Sequence, residues 1–75
     1  MNNELFTTAC ERASQEVLSL INEGYALVFE VRFVECKTAI MKLKHTRNSN
    51  SMKVRVCGNS WEIWKNNKLV KKEFV

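Results

Sequence analysis

The spacing of apolar residues changes at Gly24, and that change limits what this chain can fold into. Before it, Leu5, Ala9, Ala13, Val17 and Ile21 recur every four residues, and Phe6 and Leu20 widen the stripe. This spacing gathers them on one face of an α-helix, predicted over residues 3 to about 22. Asn3 suits the N-cap, and Glu4 favours the positive end of the helix. Gly24 stands where a left-handed residue ends a helix. The other face carries Glu11, Arg12, Gln15, Glu16 and Asn22 and reads as solvated.

After Gly24 the period becomes two. In residues 25–35, Tyr25, Leu27, Phe29, Val31 and Phe33 alternate with positions that include Glu30 and Arg32. Four further stretches alternate in the same way, over residues 39–45, 52–57, 60–65 and 68–74. Ala39, Met41, Leu43, Met52, Val54, Val56, Trp61, Ile63, Val70 and Phe74 are expected inward. Lys42, Lys44, Lys53, Arg55, Glu62 and Trp64 are expected outward. These are patterns of half-buried strands. The expected fold is α+β: one domain over residues 1–75, with the N-terminal helix on one face of a four- or five-stranded antiparallel meander.

Turn residues support the meander. Gly58-Asn59 and Asn66-Asn67 suit two-residue hairpin loops, because Gly and Asn tolerate positive φ. Residues 46–51 read as a polar loop, and residues 36–38 as a slightly longer connection. These loops set a register. Val56 faces Trp61, Arg55 faces Glu62 and Lys53 faces Trp64. Lys42 faces Arg55 and Lys44 faces Lys53, while Arg32 faces Lys42 and Glu30 faces Lys44. At the last hairpin Trp64 faces Leu69 and Glu62 faces Lys71. Inward residues stay with inward ones, which a slip by one residue would destroy.

The charge divides where the period does. Residues 1–24 hold four Glu and one Arg, a net −3, whereas residues 25–75 hold eleven Lys and Arg against four Glu, a net +7. A one-sided basic field draws anionic partners. The register above concentrates it in two outward rows: Arg32, Lys42, Arg55, Glu62, Lys71 and Glu30, Lys44, Lys53, Trp64, Leu69. Like charges placed opposite each other cost about 0.2–1 kcal/mol per pair, and Thr or Glu would suit the same positions.

Several function classes find no support. There is no Asp, His45 is the only histidine, and no P-loop, GxGxxG or HExxH occurs. No catalysis is expected. Cys10, Cys36 and Cys57 are widely spaced, with no CxxC pair, so neither a metal site nor a cofactor is expected. Reduced thiols, and no basic-then-apolar N-terminal segment, suggest a cytoplasmic protein. No apolar run approaches the roughly 20 residues of a membrane span. The helix has the wrong charge on its polar face for anionic lipid.

A basic sheet face with an exposed aromatic suits single-stranded nucleic acid, because cations track phosphates and the ring stacks on a base. The candidate residues are Arg32, Lys42, Lys44, Lys53, Arg55, Trp64, Leu69 and Lys71. The same face suits an acidic protein surface, with Trp64 and Leu69 as an apolar anchor, in the manner of a small inhibitor or regulator. A free last strand would permit a homodimer. Against these stands an ordinary reading, in which strand lysines only discourage aggregation and Trp64 only stacks on Lys53.

Overall fold

The computed structural model describes residues 4–75. Helix α1 (Glu4–Asn22) is followed by five strands: β1 (Tyr25–Phe33), β2 (Thr38–His45), β3 (Ser51–Cys57), β4 (Ser60–Lys65) and β5 (Lys68–Phe74). They form one antiparallel sheet in the order β1-β2-β3-β4-β5. The helix packs on one face of it, against β1, β3 and β4. This is the expected α+β fold, with all five strands formed. The expected Asn3 cap lies outside the described residues.

The helix buries Phe6, Ala9, Cys10, Ala13, Val17 and Leu20. Leu5 and Ile21, expected in the stripe, are exposed instead. The buried arc includes Ala9 and Ala13, whose small side chains favour close approach of the helix to β3, the strand that carries Val54 and Val56. All four are fully buried. Beneath the helix, Ala39, Met41, Leu43, Met52, Val54, Val56, Trp61 and Ile63 close the core. Every one of these strand residues lies on β2, β3 or β4, with its side chain inward as the alternation predicts.

The chain reverses at Gly24 with φ of 104°. A Cβ there would lie 2.7 Å from His45 Nε2, so the glycine is required for space as well as for backbone angle. His45 is bound on both nitrogens. The Arg47 N–H donates to Nδ1 at 3.1 Å, so Nε2 carries the proton and donates to the Glu23 carbonyl, also at 3.1 Å. His45 thus clips the β2–β3 loop to the end of the helix and stacks edge-on against Tyr25. Gly58 has φ of 61°, and Asn66 and Asn67 both have positive φ, as tight hairpin turns need.

The register departs from expectation in three places. The β2–β3 loop closes through His45 N–H to the Asn50 carbonyl at 3.0 Å, so it is shorter than residues 46–51. The pairing therefore slips by two residues: Lys42 faces Lys53, Ile40 faces Arg55 and Lys44 faces Ser51. A slip of two preserves the faces. The other two departures are β-bulges, and they do not. On β1 the connection to β2 is residues 34–37, not 36–38, and the register shifts between Leu27 and Phe29, so that Glu30 faces Met41 and Arg32 faces Ala39 in place of Lys44 and Lys42. On β5 an extra residue, Val70, falls between Leu69 and Lys71. Each bulge swaps the two faces of its strand beyond that point.

The consequences are large. Phe29, Val31 and Phe33 pair with Lys42, Ile40 and Thr38, which puts them on the face away from the helix. Glu30 and Arg32 turn to the helix side. On β5, Lys71 moves to the helix side beside Ile63, while Lys72 and Phe74 face outward beside Glu62 and Ser60. Val70, at the bulge, is exposed and does not join the core. Width explains why this is tolerated. A helix is about 10–12 Å across, whereas five strands at about 4.8 Å spacing span about 19 Å. One helix cannot cover the whole sheet, so beyond the bulges the edge strands have a wet position on either face.

Candidate nucleic-acid interface

The face away from the helix is crossed by three rows of directly paired residues. The first is Phe29, Lys42, Lys53, Trp64, Leu69; the second is Val31, Ile40, Arg55, Glu62, Lys72; the third is Phe33, Thr38, Cys57, Ser60, Phe74. The first row is symmetric in its chemistry: two ammonium groups at the centre, an aromatic ring on each side. Lys42 Nζ lies 5.6 Å from the Phe29 ring centre, and Lys53 Nζ lies 4.7 Å from that of Trp64. Each such contact contributes about 0.5–1 kcal/mol at an exposed site, while the Lys42–Lys53 pair costs about 0.2–1 kcal/mol. The row is thus stable without any bound anion.

In the second row Glu62 gathers the charge. Its side chain is 11% exposed and accepts the Trp64 indole N–H at 3.0 Å. Arg55 reaches it at 3.5 Å and Lys72 at 3.6 Å. The indole hydrogen bond, followed by the two cations, holds the Glu62 carboxyl below its ordinary pKa against the opposing effect of burial. Glu62 therefore fixes the orientation of the Trp64 ring and occupies Arg55 and Lys72. Lys42, Lys44 and Lys53 belong to none of these ion pairs. Beside Trp64 the three lysines line a depression of about 240 Å³, with Val28 as its opposite wall.

Six of the eight sequence candidates meet on this face: Lys42, Lys44, Lys53, Arg55, Trp64 and Leu69. Two do not. Arg32 pairs with Ala39 on the helix side, turned there by the β1 bulge. Lys71 is turned inward by the β5 bulge and donates to Glu16 of the helix at 2.8 Å. That bond, with Glu73 at 3.5 Å, holds the Lys71 ammonium above its ordinary pKa. Glu16 also accepts the Trp61 indole N–H at 3.3 Å.

Sequence reasoning missed the phenylalanines of the outer face. Phe29, Phe33 and Phe74 are 48%, 54% and 63% exposed, and Val28 and Val34 extend the apolar strip. A signal for them does exist. Both bulges fall at a Leu-Val pair, Leu27-Val28 and Leu69-Val70. Two adjacent apolar residues satisfy either face, so strict alternation loses its phase there.

The remaining chemistry is sparse. Among the described residues no cluster of three His, Cys, Asp or Glu could hold a metal. Burial raises the pKa of the Cys10 thiol, which makes it a poor nucleophile, while Cys36 and Cys57 are exposed. No helix of the described residues is long and apolar enough to cross a membrane. No protein-family model, curated protein or solved structure matches this chain, so its functional reading rests on the geometry of the outer sheet face.

Proposed function

We propose that the outer sheet face binds single-stranded nucleic acid without catalysing a reaction. The observation that carries this reading is the row Phe29–Lys42–Lys53–Trp64, with two exposed or half-exposed rings flanking two ammonium groups. Stacking platforms use two or three aromatics beside cations that follow the backbone. Phe33 and Phe74 add further rings on the same face. The lysines that lie over Phe29 and Trp64 are long and exposed or half-exposed, so a base can displace each from its ring while the ammonium moves to a phosphate.

The test is a titration of tryptophan fluorescence with single- and double-stranded oligonucleotides at rising salt, with Trp64→Phe to assign the signal. Binding should weaken steeply with salt and favour single strands. The double variant Lys42→Glu/Lys53→Glu should abolish it. Binding that is absent at low ionic strength, or indifferent to salt, rejects the reading.

A second reading follows from the apolar strip of Phe29, Val31 and Phe33 beside Ile40. Apolar surface rimmed by cations also suits an acidic protein partner. A stoichiometric complex that survives nuclease and is lost in Phe33→Asp would favour it.

A further inference from the structure

We infer that the depression between Val28 and Trp64 is a subsite for one nucleotide unit of a strand, its base on the indole and its phosphate among Lys42, Lys44 and Lys53. This deepens the nucleic-acid reading and rests on it. Size is the first argument. The depression, at about 240 Å³, falls below the roughly 300 Å³ at which pockets begin to enclose whole small molecules. It takes a fragment, with the rest of the ligand outside.

Charge is the second argument. No carboxylate lines the depression. The other cations in the outer-face rows, Arg55 and Lys72, are occupied by Glu62, and Lys71 on the helix side is held by Glu16 and Glu73. The unspent positive charge of the outer face is therefore concentrated here. Orientation is the third. The Trp64 N–H is bound to Glu62 at 3.0 Å, so the ring is held in place before a ligand arrives, and Glu62 is a positioning residue.

Distance extends the argument to the polymer. Phe29 and Trp64 stand in one row on β1 and β4, three strand spacings or about 14 Å apart. They cannot share one base. Each takes its own, with Lys42 and Lys53 beneath the backbone between them. A mononucleotide fills the subsite only, whereas a short strand reaches both rings.

The experiment compares wild type, Lys44→Ala and Lys71→Ala, using oligodeoxyuridylates and oligouridylates of one to four nucleotides. Fluorescence reports Trp64 and anisotropy reports total binding, from about 50 to 200 mM salt. The tryptophan response should appear with the mononucleotide, while affinity climbs with length up to four. Lys44→Ala should reduce the magnitude of the salt slope by about 0.7, the value of one phosphate contact on a single strand. Lys71→Ala, on the helix side, should leave the slope unchanged. A stronger response to either sugar names the natural polymer and supports the subsite equally. Anisotropy binding with a silent Trp64, or equal slope changes in the two variants, overturns the subsite while leaving the broader reading standing. No binding by any oligonucleotide at the lowest salt overturns both.

Discussion

Strands β2, β3 and β4 carry no bulge, and their apolar inward residues from Ala39 to Ile63 are all buried. Strands β1 and β5 each carry a bulge, and their helix-side positions beyond it hold charges: Glu30 and Arg32 on one edge, Lys71 and Glu73 on the other. The two regions face different physical demands. A central strand must satisfy the helix above it and a neighbour on each side. An edge strand has one neighbour and little cover, and bulges with inward charges keep it from pairing with foreign strands. These devices weigh against a homodimer through β5. The same bulges deliver Phe29, Phe33 and Phe74 to the outer face, so protection of the edge and part of the candidate site share one cause.

The contrast can be broken first in the core. Leu43 is 1% exposed, and Leu43→Ala should cost about 2–5 kcal/mol in a denaturant melt. A loss below about 1 kcal/mol would mean that the centre is loosely packed and the distinction from the edges is false. Phe29→Ala sharpens the comparison from the other side. Its effect on stability should be about 1 kcal/mol or less, the worth of an exposed cation–π contact. Oligonucleotide binding should weaken by about 1–3 kcal/mol, the contribution of one stacked base. A strongly destabilised Phe29→Ala would show that β1 does pack as core.

The smallest effect lies at Glu62, which ties β4 to the edge. Its pKa is lowered in the folded state, so its contribution is fully present above the unfolded carboxyl value, about 4.3. That contribution is lost as pH falls through the lowered folded value. Wild type should therefore lose more stability than Glu62→Gln between about pH 5 and pH 3, with a change in Trp64 fluorescence over the same window. Parallel acid profiles would show that the Trp64–Glu62 hydrogen bond does not depend on the charge.

Much of the fold was legible in the residues. The period of four before Gly24 and of two after it gave the helix, and turn chemistry at Gly58-Asn59 gave the β3–β4 register to the residue. The candidate site was legible on the central strands and, on β5, as far as the bulge. Lys42, Lys44, Lys53, Arg55 and Trp64 were assigned to the outer face because inward neighbours left them no other side. Strict alternation puts Arg32 and Lys71 on the wrong face because two adjacent apolar residues, Leu27-Val28 and Leu69-Val70, conceal a change of phase.

The sequence by itself determined the element types, the meander, the core of the three middle strands and the separation of acidic helix from basic sheet. All of these follow from local periodicity and turn residues, which act within a few positions of each other. Only the tertiary structure decided which face the edge strands present beyond each bulge. That choice depends on how much of a sheet about 19 Å wide one helix can cover, and on partners far apart in the chain, such as Glu16 with Lys71. No local pattern encodes that width. It is why Phe29 faces Lys42 on the outer surface and does not face the helix.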